Sequence, residues 1–342
     1  MTITTAMRQE IDEIPEAAAR LLDVSARSLD AAGARMKAVD PAVLVTVARG
    51  SSDHAAYFLK YAVELQMGIP VASLGPSLAS IYDAPLKLDR AASISISQSG
   101  ASPDIVAMTQ AAKAGGAYAV ALVNTLPSKL AEAASAAIDI AAGPEIAVAA
   151  TKSYVNSIVA GLAMLAAWSG DKALQRAVKA LPEDLNRALA LDWSEVVETL
   201  ADATSLYVLG RGPVLAIAAE AALKCKETCE LHAEAYSSAE VLHGPVSLVA
   251  KDFPIIAFAA RDKAEASTAE IASRMAAKNA RIFTTSARAS GGKILPFVET
   301  GHPLTDALAL IVPYYGMVEA LSRRRGFNPD KPAALSKVTQ TR

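Results

Sequence analysis

The chain has 342 residues, 52% of them hydrophobic but only 5% aromatic, and a formal net charge of -2. That length suits two domains, each with its own core, and an apolar content dominated by alanine favours helices packed on sheets over a β-sandwich. A near-neutral charge offers no basic footprint to a nucleic-acid backbone or to anionic lipid, so neither nucleic acid nor membrane is an expected partner.

The first ten residues lack a basic segment followed by an apolar run, and the first forty read as amphipathic helix rather than a targeting signal. The longest apolar stretch, 158–168, is too short to cross a bilayer and ends on Ser169-Gly170-Asp171. A cytoplasmic protein is expected. Short apolar, β-branched runs then recur at 43–48, 93–97, 118–123 and 136–141, separated by stretches of helix length. Strands buried on both faces and alternating with helices predict an α/β fold with a doubly wound parallel sheet.

A long helical stretch at 151–168 and a connection carrying Pro182, Glu183 and Asp184 come next, and the pattern restarts with strand-like runs at 205–210, 253–260 and 280–285. Arg49-Gly50 opens a helix in the first half as Arg211-Gly212 does in the second. The restart predicts two copies of one fold. The expected division is a helical segment at 1–34, a first subdomain at 35–180, a second at 181–328 and a tail at 329–342.

Ser97-Gln98-Ser99-Gly100-Ala101-Ser102 follows a predicted strand and precedes a helix, with Ser102 as N-cap and Pro103 at the first helical position. Such a turn aims backbone N–H groups and hydroxyls at one point near the positive end of a helix dipole, which suits a phosphate monoester. An ordinary capped turn would read the same, and Asp104 would repel a phosphate unless it points away. Arg49-Gly50-Ser51-Ser52-Asp53 sits at the equivalent end of a neighbouring strand, so two hydroxyl-rich turns are expected to converge at the carboxyl edge of one sheet.

Glu220, Lys224 and Glu227 fall at i, i+4 and i+7, one stripe of a helix. A solvated ladder of ion pairs would look alike. Here the stripe leads into Leu231-His232-Ala-Glu-Ala-Tyr236, a capping-box pattern from Ser237 to Glu240, and Leu242-His243-Gly244-Pro245. Two of the four histidines and several carboxylates thus crowd into one segment, which favours a site. The two cysteines, Cys225 and Cys229, share a helix face and are read as buried thiols rather than metal ligands.

Together, the motifs Arg49-Gly-Ser-Ser-Asp-His54, Ser97-Gln-Ser-Gly-Ala-Ser102, Glu145-Ile-Ala-Val-Ala-Ala-Thr-Lys152, Ala222-Leu-Lys-Cys-Lys-Glu227, His232-Ala-Glu-Ala-Tyr236, His243-Gly-Pro245 and Leu335-Ser-Lys337 resemble those of the SIS (sugar isomerase) domain family. The chain is similar to the isomerase half of glucosamine-6-phosphate synthase, and more so to free-standing SIS-type glucosamine-6-phosphate deaminases. The resemblance implies two tandem SIS subdomains of the α-β-α kind. It implies phosphate held by Ser97, Gln98, Ser99 and Ser102, with Ser51 and Ser52 nearby, and a sugar pocket that includes Val148, Ala150 and Glu220.

By the same resemblance Glu227 is the base moving a proton between C1 and C2, and Lys224 belongs with it in the catalytic set. His243 assists ring opening and comes from the neighbouring subunit of a homodimer, while Lys337 is a tail lysine able to form a Schiff base with a ketose. No metal and no organic cofactor is expected. Two departures from the synthase stand out: Arg49 replaces a small thiol and Ala150 replaces a serine. The glutaminase domain is also expected to be absent, leaving no nitrogen donor.

The implied reaction converts glucosamine 6-phosphate, a hexosamine 6-phosphate, to fructose 6-phosphate and ammonia. Deglycation of a fructosamine 6-phosphate and simple phosphosugar isomerisation stay open beside it. A non-catalytic sugar-phosphate sensor is a third reading.

Overall fold

The computed structural model describes residues 4–337. Three helices open the chain, α1 (Ala6–Asp12), α2 (Ile14–Val24) and α3 (Ala26–Val39). Next come β1 (Val43–Val47), α4 (Ser51–Met67), β2 (Val71–Ser73), α5 (Ser77–Ser80), β3 (Ala91–Ser97), α6 (Pro103–Ala114), β4 (Tyr118–Val123), α7 (Lys129–Ala133) and β5 (Ala136–Asp139). The strands form one parallel sheet in the order β2-β1-β3-β4-β5, with β1 running beside β3 from Val43 opposite Ala91 to Val47 opposite Ser95.

Every residue of the central strand β3 is buried. Its sequence alternates isoleucine with serine, so one face is hydroxylic, and the Ser95 hydroxyl meets Thr109 of α6 at 2.7 Å. Helices α2 and α3 pack on α8 (Lys152–Ser169), which is buried around almost its whole circumference and is accordingly apolar from Ile158 to Trp168.

The helix α9 (Lys172–Leu189) corrects an expectation, because the Pro182 region read as a connection lies inside it. Leu174, Val178, Leu181, Leu185 and Ala188 are buried at helical spacing on both sides of the proline, and that stripe outweighs the one lost backbone hydrogen bond. Beyond it lie α10 (Ser194–Leu200), β6 (Ser205–Gly210), α11 (Pro213–Cys229), β7 (His232–Ser237), β8 (Pro254–Ala257), α12 (Glu265–Ala276), β9 (Arg281–Thr284), β10 (Lys293–Ile294), α13 (Pro303–Ala309) and α14 (Ile311–Arg324).

The second parallel sheet has the order β10-β9-β8-β6-β7, which is the first sheet's winding again. The repeat extends to torsion angles. Gly50 before α4 has φ 56° and ψ -134°, and Gly212 before α11 has φ 61° and ψ -138°, a region only glycine enters freely. Both Arg-Gly pairs therefore mark the same strand-to-helix turn.

Two further expectations are corrected here. Residues 231–236 continue no helical stripe: Glu230 takes a left-handed conformation that ends α11, and the chain returns as β7 beside β6. The Ser237–Glu240 pattern makes no capping box, since Glu240–Leu242 is a single 3-10 turn with Ala239 at its start and the Ser237 hydroxyl accepts from the Ala239 amide at 3.4 Å.

By its internal contacts the chain divides into two compact units. One takes in Ile14–Glu145, Lys152–Pro182 and Lys337; the other takes in the chain up to Glu13, Ile146–Thr151 and Glu183–Ser336. Among the described residues, 303–324 is long and apolar enough to cross a membrane, but 89% of that window is buried inside the protein. It spans α13 and α14, the latter packed on α11.

Candidate active site

In the first sheet the strand order reverses between β1 and β3, where the following helices leave for opposite faces and open a crevice at the carboxyl edge. A cavity of about 590 Å³ lies there, lined by Arg49, Gly50, Ser52 and Asp53 after β1, Ser73 and Gly75 after β2, Ser97, Gln98, Ser99 and Ser102 after β3, and Lys337. The first turns of α4 and α6 contribute to this lining, so two helix dipoles present their positive ends to it.

The loop after β3 is shaped by its own hydroxyls. Ser97 Oγ accepts from the Gly100 amide at 3.1 Å, and Ser99 Oγ accepts from Ala101 at 3.3 Å. Gly100 has φ 61°, and a Cβ there would stand 2.4 Å from Ser128 Oγ, so the turn closes only with glycine. Ser102 precedes α6 with Pro103 at N1, yet its side chain makes no capping bond.

Asp104 is turned away from the cavity. Its side chain is fully buried, Oδ1 accepts from the Ile105 amide at 2.9 Å, and Oδ2 receives Arg49 Nε at 2.5 Å. The repulsion that this carboxylate could have caused is thus met by a guanidinium. Asp53 faces a different balance: burial pushes its carboxyl above the usual range, partly offset by His54 and Arg49.

Lys337 Nζ lies 3.3 Å from Oε2 of the buried Glu145, which also accepts from the Ser153 amide at 3.1 Å and hydroxyl at 2.6 Å. A carboxylate fixed by the first turn of α8 therefore holds the tail lysine beside the cavity. Ser51 occupies the first turn of α4 but does not line the cavity.

In the other unit, α11 carries the acidic stripe. Glu220 and Lys224 side chains are wholly buried while Glu227 is 21% exposed, so the solvated-ladder reading fails. Lys224 Nζ is 3.3 Å from Glu220 and is hydrogen-bonded to Glu227, and Tyr315 of α14 donates to Glu220 at 3.2 Å. Burial alone would lower the lysine's pKa, but the two carboxylates outweigh it and raise it, keeping the ammonium charged.

His243 is exposed at the end of the 3-10 turn after β7. Val148, whose amide donates to Asp330 at 3.2 Å, and Ala150 lie in the segment Ile146–Thr151 of this same unit. Cys225 and Cys229 are both buried; burial pushes the Cys225 thiol up to about 11 and the Cys229 thiol higher still, which makes them inert core.

The structure thus gathers Ser52, Ser97, Gln98, Ser99, Ser102 and Lys337 at one cavity, and Glu220, Lys224 and Glu227 on one helix. Sequence reasoning missed Arg49, Asp53, Ser73 and Gly75 as lining residues, and Glu145 as the partner of Lys337. Arg49 and Glu145 stood inside quoted motifs and could have been found there. Ser73 and Gly75 follow a three-residue strand too short to signal itself.

These features define a class, and the comparisons agree with it. The SIS domain family model matches residues 41–167 and 199–287, and the chain belongs to the SIS domain family. A protein of Silicibacter pomeroyi DSS-3 put forward as a phosphosugar isomerase shares 55% identity at a TM-score of 0.93, over 96% of this chain and all of that one.

Glutamine–fructose-6-phosphate aminotransferase (isomerizing) of Symbiobacterium thermophilum is 31% identical over 97% of this chain and 56% of its own length. The chain therefore spans about half the length of the curated relatives it matches. The C-terminal domain of the Francisella tularensis glucosamine-fructose-6-phosphate aminotransferase aligns at a TM-score of 0.87 with 26% identity, over 97% of this chain and 99% of that one.

Proposed function

We propose that the protein converts glucosamine 6-phosphate to fructose 6-phosphate and ammonia. The observation that carries this reading is the hydroxyl-lined cavity at the switch point of the first sheet, with two helix starts and a tail lysine on its walls. Its size suits a hexose phosphate, and its donors suit a phosphate monoester. The coarser reading, action on amino- or keto-sugar phosphates, rests on family membership and on what the relatives do by name.

In this reading Ser52, Ser97, Gln98, Ser99 and Ser102 hold the phosphate, and His243, supplied by the second copy in a homodimer, assists ring opening. Glu227, the exposed end of the acidic stripe, takes the C2 proton of the open aldose and returns it to C1. The carbonyl becomes a C1 hydroxyl, and the amine becomes a C2 imine. One water adds to the imine carbon and ammonia leaves, so one amino sugar and one water give one ketose and one ammonia. Lys224 stays charged and holds Glu227 in place; Lys337 is the amine available to a ketose carbonyl.

The test is ammonia release from a panel of hexosamine and fructosamine 6-phosphates. Release from glucosamine 6-phosphate is expected. Glu227→Gln should lower turnover by about 100-fold or more with sugar-phosphate binding retained. Turnover unaffected by that substitution, or silence with every hexosamine phosphate, contradicts the reading.

A further inference from the structure

A phosphate dianion that leaves water for hydroxyls and helix starts alone still meets a desolvation cost, because neutral donors and partial dipole charges offset its two charges only in part. The cavity wall is mostly neutral: Ser52, Ser97, Gln98, Ser99 and Ser102 carry no charge. Among the described residues that line it, Arg49 and Lys337 are the cations and Asp53 is the carboxylate. Lys337 is engaged by Glu145, and in the proposed reaction it serves the carbonyl end of the sugar.

Arg49 is built differently. Its Nε is bound at 2.5 Å by Asp104, a carboxylate with no exposed surface that is itself fixed by the Ile105 amide. Asp104 is absent from the cavity wall, whereas 46% of the Arg49 side chain remains exposed. A guanidinium has five N–H donors in a rigid fork, so fixing Nε from behind sets the direction of the others. The buried aspartate thus acts as a mount that offers the arginine to the cavity.

We infer that Arg49, mounted on Asp104, is the principal counter-charge for the substrate's phosphate and makes the site selective for a dianionic monoester. The inference rests on the phosphosugar reading of the cavity. Asp53 opposes it from the same wall. Burial and the pull of His54 and Arg49 act on that carboxyl in opposite directions, and its removal should favour the anion.

Calorimetric titration with sorbitol 6-phosphate, inorganic phosphate and sorbitol tests this on the full-length protein. Arg49→Gln should weaken both phosphorylated ligands by about 10- to 100-fold, Arg49→Lys should recover part of the loss, and Asp53→Asn should tighten both. In turnover the Arg49→Gln loss should fall on KM and leave kcat within a few-fold. Because Arg49→Gln leaves Asp104 buried without its cation, the double variant Arg49→Gln/Asp104→Asn serves as a folding control and should lose the same affinity.

Arg49 variants that bind sorbitol 6-phosphate as tightly as the parent overturn the assignment while leaving the phosphosugar reading in place. A parent protein that binds sorbitol 6-phosphate no better than sorbitol overturns that reading and the assignment with it.

Discussion

At the scale of single residues, identical side chains take opposite roles because their neighbours differ. Lys224 is a permanent cation: burial would strip its charge, but Glu220 and Glu227 more than restore it, so it cannot serve as a nucleophile near neutral pH. Lys337 meets the Glu145 carboxylate at 3.3 Å and keeps a quarter of its side chain exposed, which suits a group that must change partners. Glu319 illustrates the same competition with a testable sign. Burial works to raise its carboxyl, but hydrogen bonds from Arg323 and Thr5 and the charge of Arg8 win and hold it below its ordinary value of 4.5. A depressed carboxyl stabilises the fold above its unfolded pKa and loses that contribution as pH falls through the folded one. Glu319→Gln should therefore cost about 1–3 kcal/mol in urea unfolding at pH 7, and the difference should shrink below pH 4.5. A difference independent of pH would mean that the charge contributes nothing.

At the scale of elements, function depends on how strands hand over to helices. The turn from β3 to α6 closes because Gly100 takes a positive φ where a Cβ would strike Ser128. Gly100→Ala should cost about 1–3 kcal/mol and weaken sugar-phosphate binding more than the equally conservative Ala101→Gly, as titration would report. Equal affinity in both variants would show that the turn's shape is irrelevant to the site. Much of this level was legible in the sequence. The runs at 118–123 and 205–210 became β4 and β6 with the predicted ends, because strands buried on both faces are written in unbroken apolar residues. What escaped was short or local in its signal. Strands β2 and β10 have three and two residues, and β7 was obscured because its polar residues seemed to extend the stripe of α11. Pro182 suggested a break that the buried stripe of α9 overrode. Arg49 was visible, but its role was not: only the fold brings Asp104, fifty-five positions later, against its Nε.

At the scale of the whole molecule, the two sheets share one winding and one Arg-Gly turn, but they have diverged in what they carry. The first has the hydroxyl-lined cavity; the second has the acidic helix and the exposed His243. Duplication followed by division of labour accounts for that asymmetry. If His243 serves the other copy of a homodimer, hybrids of a Glu227→Gln chain with a His243→Asn chain contain one site with both residues intact. An equal mixture should then recover about a quarter of parental ammonia release, whereas either variant alone stays inactive. A mixture as inactive as its components would mean that each chain uses its own histidine. The central claim is that a sugar phosphate is held by its phosphate at the carboxyl edge of the first sheet. A crystal structure of the Glu227→Gln protein grown with glucosamine 6-phosphate tests it most directly. Phosphate density among Ser52, Ser97, Ser99 and Ser102 is the predicted result, and an ordered sugar phosphate elsewhere with that cradle left to solvent would contradict it.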